Sequence, residues 1–391
     1  MCGNIRYDRS DYGYWSEETM TERIVNEFIE LVKVSSETKH EAEIAALLKK
    51  KFSDLGLKVE EDQAQEKTGH GANNLICTLP GTSTEEIKTI YFTSHMDTVV
   101  PGKNIQPIVE DEYIRTDGTT ILGADDKAGI AAMLEAIRVL REKEVQHGDI
   151  QFIITVGEES GLVGAKALDQ KLLRAVYGYA LDSDGEVGGM ITAAPSQAKL
   201  VTKVFGKTAH AGVEPEKGIS AISVASKAVA QMPLGRIDRE TTANIGRFEG
   251  GSQTNIVCDY VEITAEARSL EKAKLEKQVS AMKQAFENAA KEMGTSCEVQ
   301  ITYSYPGYKE SEDAEVVRIA HEAITTLGLT PSMRASGGGS DANVISGFGI
   351  PTINLSVGYE KIHTTNERIA VHSLAKIAQV IIEIVKTTAK Q

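Results

Sequence analysis

The chain has 391 residues, 41% of them hydrophobic and 25% charged, which is ordinary for a globular protein and enough for two domains. Lys and Arg number 42 against 56 Asp and Glu, so the formal net charge is -14. No basic block or aromatic-basic stripe could follow a phosphate backbone, so we expect neither nucleic acid nor an anionic membrane as a partner.

Residues 1–19 are polar and Tyr-rich, and they contain no hydrophobic core of a signal peptide. We interpret them as an N-terminal extension outside the fold. The most apolar stretches, 150–156 and 380–385, are far shorter than the ~18 residues that a membrane span requires. The sequence therefore predicts a protein that is not integral to a membrane.

From residue 20 onward, two amphipathic helices are followed by apolar segments that alternate with further helices. The predicted strands are 74–79, 89–94, 151–156, 177–181 and 352–356, and the later predicted helices are 128–142, 162–168 and 314–327. This alternation predicts a three-layer α/β domain over residues 20–195 and 306–391. Its functional sites are expected at the carboxyl ends of the strands.

Residues 196–305 have a different pattern, with two helices and four strands in the order βαββαβ. This order predicts a ferredoxin-like α+β domain inserted into the first one. Its second helix carries an apolar stripe with spacings of four and three, which is typical of a core face. Pro195 and Pro306 stand at the two crossings and are interpreted as linkers.

Acidic and histidine side chains follow several of the predicted strands. His95 and Asp97 lie two apart after strand 89–94, so the carboxylate is expected to accept the second N–H of the imidazole. Such a pair alone is more often a surface hydrogen bond. Asp125 and Asp126 open a helix, where an ordinary acidic first turn is the simpler interpretation.

Glu158 and Glu159 favour a functional interpretation, because two adjacent carboxylates at a buried strand end are costly without a cation. Asp182 and the segment beginning at His363 add ligands after two more strands. Together these loops offer two histidines and at least three carboxylates. That set is sufficient for a pair of zinc ions.

Five motifs, in this order, resemble the superfamily of peptidase T, carboxypeptidase G and aminoacylase. They are Ser-His-Met-Asp-Thr, Gly-Ala-Asp-Asp-Lys-Ala-Gly, Gly-Glu-Glu-Ser-Gly, Leu-Asp-Ser-Asp-Gly and His-Thr-Thr-Asn-Glu. The similarity extends from about residue 20 to the end of the chain and is greatest to the peptidase T type. It implies a dinuclear zinc aminopeptidase that hydrolyses the N-terminal peptide bond of short peptides, with tripeptides as the expected substrates.

The resemblance also implies a role for each matching residue. Asp125 would bridge the two zinc ions, with His95 and Asp182 completing one site and Glu159 and His363 the other. Glu158 would be the general base, and Asp97 would orient His95. Cobalt or manganese are conceivable substitutes for zinc.

In the inserted domain, the resemblance implies that His210 stabilises the oxyanion, and that Asn255 and Arg268 bind the carboxylate end of the substrate. A surface salt bridge is the alternative for Arg268. Gly338 and Ser340 belong to a segment that lines the substrate pocket in the family. Here residues 335–342 read Ala-Ser-Gly-Gly-Gly-Ser-Asp-Ala, without the arginine of peptidase T, which leaves strict tripeptide specificity open.

Two further expectations concern assembly and location. The inserted domain is expected to act as a lid and to form a homodimer, since pairing of sheet edges across a two-fold axis would cover them. The cysteines, Cys2, Cys77, Cys258 and Cys297, include no CxxC pair, so we expect the reducing cytoplasm.

Other functions remain open from the sequence. A carboxypeptidase, a dipeptidase or an N-acyl amino acid deacylase could use the same scaffold. A non-catalytic zinc-binding scaffold protein is the alternative from another class.

Overall fold

The computed structural model describes residues 17–110 and 112–391, with Glu17 described by its backbone alone. The described chain forms two compact units. The first contains the residues up to 190 together with 312–333 and 350–391, and the second contains 191–311 and 334–349. Of the expected N-terminal extension, residues 1–16 lie outside the described residues, while the first helix already begins at Glu17.

The helices of the described chain are α1 Glu17–Lys33, α2 Ala42–Asp54, α3 Ala64–Thr68, α4 Ala124–Glu142, α5 Val163–Ala167, α6 Ala221–Gln231, α7 Lys272–Glu292, α8 Glu315–Thr326, α9 Asp341–Gly347 and α10 Val371–Thr388. The strands are β1 Lys58–Glu61, β2 Leu75–Leu79, β3 Ile90–His95, β4 Ile108–Glu110, β5 Tyr113–Arg115, β6 Ile150–Thr155, β7 Tyr177–Ser183, β8 Gly189–Ala194, β9 Ser196–Phe205, β10 Gly235–Arg236, β11 Thr241–Gly250, β12 Tyr260–Ser269, β13 Cys297–Tyr305, β14 Tyr308–Lys309, β15 Ser332–Ala335, β16 Thr352–Ser356, β17 Tyr359–Glu360 and β18 Arg368–Ala370.

The main sheet includes, within the first unit, the neighbouring strands β1-β2-β6-β3-β7-β16 in this order. Strands β6, β3, β7 and β16 run parallel to one another, so their carboxyl ends meet at one edge, whereas β2 is antiparallel to β6. Every residue of β2, β3 and β6 is buried, as is typical of strands covered on both faces. The predicted α/β class is confirmed.

Helices cover this sheet and support the edge where the carboxyl ends of its parallel strands meet. Helix α4 packs on β3 and β7 and also contacts α1 and α10. The apolar stretch 380–385 lies within α10, whose residues are largely buried, so it contributes to the core. Among the described residues, no helix combines the length and the apolar character needed to cross a membrane.

The second unit contains an antiparallel sheet with the order β10-β11-β12-β9-β13, against which α6 and α7 pack. The six elements expected between residues 196 and 305 all have counterparts, and β10 is an additional short strand. The apolar stripe of α7 is buried against the sheet. It includes Leu275, Val279, Met282 and Phe286.

The second unit extends beyond residues 196–305 because distant segments are tied to it. The buried side chain of Asn343, in α9, donates hydrogen bonds to the carbonyl oxygens of Pro195 at 3.1 Å and Pro306 at 2.9 Å. Both prolines interpreted as linkers therefore lie inside this compact unit. Composition near each proline could not indicate this, because the residue that joins them is distant in the sequence.

Phe286 offers a test of the core of the second unit. Replacing its 1% exposed ring by Ala should lower the free energy of unfolding by about 3–5 kcal/mol, because the cavity cannot be refilled. Urea denaturation followed by circular dichroism measures this loss. The control is Gln284→Ala on the exposed face of the same helix. A Phe286→Ala variant as stable as this control would contradict the assigned packing.

Candidate metal centre and active site

Strand β3 ends in His95, whose ring is buried at the carboxyl edge of the main sheet. Its Nδ1 lies 2.9 Å from the backbone carbonyl oxygen of Asp97 and 3.5 Å from the carboxylate atom Oδ1. The carbonyl is the nearer acceptor, and the carboxylate that was expected to accept this N–H is also within contact distance. A proton held on Nδ1 leaves Nε2 with the lone pair that a cation requires.

The Asp97 carboxylate also holds the loop that follows β6. The backbone N–H of Glu158 donates to its Oδ1 at 3.0 Å, and that of Glu159 donates to its Oδ2 at 3.3 Å. Gly157 permits the turn, since its φ is +58° and an added Cβ would lie 2.5 Å from His70 Nε2. The two glutamates are thereby fixed beside His95.

Asp125 lies at the start of α4, in an extended conformation with φ −80° and ψ 100°. The peptide bond to Asp126 is cis. The two carboxylate oxygens of Asp125 face different histidines: Oδ1 is 3.0 Å from His95 Nε2, and Oδ2 is 3.3 Å from His363 Nε2. This arrangement allows one carboxylate to serve two adjacent sites.

Asp182 approaches the same histidine from β7, with Oδ1 3.8 Å from His95 Nε2. The buried Tyr359 donates its hydroxyl proton to this Oδ1 at 3.1 Å. The side chain of Asn354 accepts the backbone N–H of Asp182 at 2.9 Å and donates to its carbonyl at 2.6 Å. Asp182 is therefore fixed at both its main chain and its carboxylate.

Glu159 and His363 face Asp125 from the other direction. His363 Nε2 lies 3.0 Å from Glu159 Oε1, and its side chain is 50% exposed. The residue has φ +60°, which is uncommon for a residue other than glycine. His363 thus forms the solvent-accessible side of the centre, while the carboxylates that it faces are buried.

The potential ligand atoms fall into three groups whose members lie within 4.8 Å of one another. These groups are His95 with Asp125 and Asp182, Asp125 with Glu159 and His363, and His95 with Glu158 and Glu159. Asp125 is shared by the first two groups. The structure therefore brings together all of the side chains expected to bind metal, together with the expected base.

The electrostatics of these groups favour positive charge. Hydrogen bonds with Asp125 and Glu159 raise the pKa of His363 to about 10. Burial opposes protonation of His95, but hydrogen bonds with Asp125 and Asp97 outweigh it, so its pKa is also well above the usual value. A cation bound to the carboxylates would replace this positive charge. The donor set, imidazole nitrogens and carboxylate oxygens, suits zinc.

Two more ionisable side chains, Lys127 and Glu367, are buried beside the centre. Burial lowers the pKa of Lys127 to about 7, although the carboxylates of Glu367 and Asp97 attract its charge. Burial raises the pKa of Glu367 to about 7, although the hydrogen bonds that its carboxylate accepts from backbone N–H groups oppose this rise.

Sequence reasoning assigned no role to Tyr359, Asn354 or Glu367, although each contacts a residue of the centre. Asn354 is a polar residue inside an apolar strand, which is a usable signal for a structural hydrogen bond. Glu367 belongs to one of the five motifs. For Tyr359 we find no signal in the sequence.

His210 and Asn255 belong to the second unit and lie on paired segments there. The N–H of Ala211 donates to the Asn255 carbonyl at 2.9 Å, and His210 forms a bridge with Ile256. The N–H of Gly212 donates to His210 Nδ1 at 3.1 Å. A neutral His210 ring therefore carries its proton on Nε2.

Arg268 also belongs to the second unit, where its Nε donates to Glu266 Oε1 at 2.8 Å and its Nη1 to the Gly337 carbonyl at 3.3 Å. It is thus adjacent to the segment that contains Gly338. Ser340 precedes α9, and its N–H donates to Asn343 Oδ1 at 3.0 Å. Ser340 therefore has a helix-capping contact in this structure.

Comparison with known proteins agrees with the resemblance seen in the five motifs. The crystal structure of the aminopeptidase PepT from Bacillus cereus is 64% identical, with a TM-score of 0.90, over 94% of this chain and 99% of that one. A tripeptidase from Staphylococcus aureus is 52% identical, with a TM-score of 0.92, over 95% and 99%. Peptidase T of Fusobacterium nucleatum is 30% identical over 394 residues, 90% of this chain and 92% of that protein.

The profile of one family matches residues 91–387, which include every residue of the three ligand groups. The chain therefore belongs to Peptidase family M20/M25/M40.

Proposed function

We propose that this protein is a metal-dependent aminopeptidase of the peptidase T type, which removes the N-terminal residue from short peptides, with tripeptides preferred. The observation that carries this proposal is the position of Asp125 in two groups of potential ligands. Family membership identifies a peptidase. The high identity to the Bacillus cereus aminopeptidase and the Staphylococcus aureus tripeptidase supports the narrower activity.

The ligand set supports two divalent cations. His95 and Asp182 would hold one, Glu159 and His363 the other, and Asp125 would contact both. We propose zinc as the native metal, with cobalt or manganese as possible replacements. When bound, such ions supply Lewis-acid activation of the scissile carbonyl and of the attacking water.

Glu158 is the proposed general base. Its backbone is fixed by Asp97, and its half-buried side chain lies beside His95 and Glu159. The carboxylate accepts the proton of the attacking water and then donates it to the nitrogen of the leaving amine. Asp97 contributes to this role by holding the loop that carries Glu158.

Residues of the second unit are proposed to bind the substrate. His210 would donate its Nε2 proton to the oxyanion of the tetrahedral intermediate, either within its own chain or in a partner subunit. Arg268 would bind the terminal carboxylate of the peptide through its planar guanidinium group. Asn255, Gly338 and Ser340 would complete this substrate-binding set.

We further propose a homodimer formed by the second unit. In the described part of the chain, β13 has a strand neighbour on one side only, and its Tyr303 is 55% exposed. Pairing such edges between two copies covers unpaired backbone groups.

The cysteines of the described residues form no disulfide, which supports the cytoplasm as the place of action.

A peptide panel tests the activity. With two equivalents of zinc, tripeptides with a free amine should lose their first residue, while N-acetylated forms of the same peptides should remain intact. Mass spectrometry identifies the products. Cleavage of the acetylated peptides at their carboxyl end would indicate a carboxypeptidase, and release of the acyl group would indicate a deacylase. Absence of hydrolysis throughout would favour a non-catalytic scaffold.

Glu158→Gln should keep both metal ions but lower kcat by about 10²- to 10⁴-fold, because the base is lost and the proposed ligand set is intact. Elemental analysis and steady-state kinetics measure the two effects. Glu186→Gln, which removes an exposed carboxylate outside the ligand groups, is the control. Loss of metal in Glu158→Gln would show that Glu158 is a ligand.

His210→Ala should lower kcat by roughly 10²- to 10³-fold, the usual effect of losing one oxyanion donor. Metal content and the mass determined by light scattering should not change, since the ring contributes to neither. The control is His321→Ala, an exposed histidine on α8. Unchanged kinetics in His210→Ala would assign this side chain to solvent, and a fully active monomer would contradict the dimer.

A further inference from the structure

Glu367 is a buried glutamate, 2% exposed, in the loop that also carries His363. Its Oε2 accepts the backbone N–H groups of Leu122 and Gly123, both at 2.8 Å. Its Oε1 accepts the backbone N–H of Asp125 at 3.0 Å. One carboxylate therefore accepts three of the backbone N–H groups between residues 122 and 125, at the beginning of α4.

These donors form a concave anion site in the backbone. Gly123, the residue before α4, has φ +73°, and no side chain of its own segment caps the helix. Such left-handed turns direct neighbouring N–H groups to one point, which a negatively charged group can occupy. Helices usually obtain this group from a local Ser, Thr, Asp or Asn. Here a distant loop supplies it.

The loop that carries Glu367 and His363 contacts Asp125 at both its backbone and its carboxylate. Glu367 accepts its backbone N–H, while His363 Nε2 lies 3.3 Å from its Oδ2. The φ and ψ angles of Asp125 are not helical, and its backbone N–H donates to Glu367 in the distant loop. The position of its carboxylate consequently depends on the contact with Glu367.

A buried lysine, Lys127, lies close enough to Glu367 for the carboxylate to attract its positive charge. The Lys127 side chain is fully buried, donates to the carbonyl of Val34 at 2.8 Å, and is attracted by Glu367 and Asp97. A neutral side chain at position 367 would remove one of these two attractions.

We propose that Glu367 is a positioning residue of the metal centre: by fixing the backbone of Asp125 and the turn before α4, it preorganises the Asp125 carboxylate to contact two cations. This inference rests on the metal-binding role proposed above for Asp125. Groups that orient ligands without binding metal typically change metal affinity by 10- to 100-fold when altered.

Glu367→Gln tests this role with little change of shape. The amide places an NH₂ group where the backbone requires an acceptor, so the turn before α4 loses at least one hydrogen bond. We expect the zinc dissociation constant of the metal-free protein to rise about 10- to 100-fold, measured by competition with a chromophoric chelator. Hydrogen exchange of the amides of Leu122, Gly123 and Asp125 should accelerate.

Glu367→Asp retains the charge and should recover part of the zinc affinity, whereas a purely space-filling role would make this shorter side chain the worse variant. Should Glu367→Gln fail to fold, Glu367→Asp alone decides. It cannot reach all three N–H groups, so wild-type zinc affinity in it would overturn the proposal.

The matched control is Glu360→Gln. It removes a carboxylate on the nearby strand β17 that pairs with Arg368 on β18. It should bind zinc like the wild type, and an equal loss of affinity in it would overturn the role of Glu367. Asp125→Ala is measured in parallel. If Asp125→Ala binds zinc normally, the metal centre itself is misassigned. If it loses zinc while Glu367→Gln binds normally, the positioning role alone is wrong.

Discussion

The burial of several carboxylates at one edge of a parallel sheet is the constraint on which the rest of the structure depends. The side chains of Asp97, Asp125 and Glu159 are largely buried. Repulsion between neighbouring buried carboxylates raises the free energy of the folded protein. Backbone N–H groups, the imidazoles of His95 and His363, and the proposed cations offset this cost. The folded centre is therefore suited to bind metal.

Buried amide side chains position the loops that carry these charges. Asn74 accepts the N–H of Val156 at 3.0 Å and donates to the Gly164 carbonyl at 2.9 Å, which holds the chain on both sides of the two glutamates. Asn354 similarly forms hydrogen bonds with both the backbone N–H and the carbonyl of Asp182 on β7. Both amides connect strand ends that carry site residues, so the rigidity of the sheet is transmitted to the ligands.

The potential metal ligands and the residues proposed to bind the substrate lie in different parts of the chain. The ligand groups consist entirely of residues from the first unit, whereas His210, Arg268 and the segment 335–342 belong to the second. The segment that lacks the arginine of peptidase T lies outside every ligand group. Substrate preference can therefore diverge on this scaffold while the metal chemistry is retained.

The sequence by itself determined the α/β class and the residues that converge on the centre, because hydrophobic periodicity and short acidic motifs are local properties. It placed His95 and Asp182 at strand ends, where parallel strands must bring them together. Only the tertiary structure decided that Asp97 holds the glutamate loop, that Glu367 caps α4, and that Asn343 draws both prolines into one unit. Those contacts join residues far apart in the chain, and no periodicity or spacing encodes which distant partner a buried polar group will find.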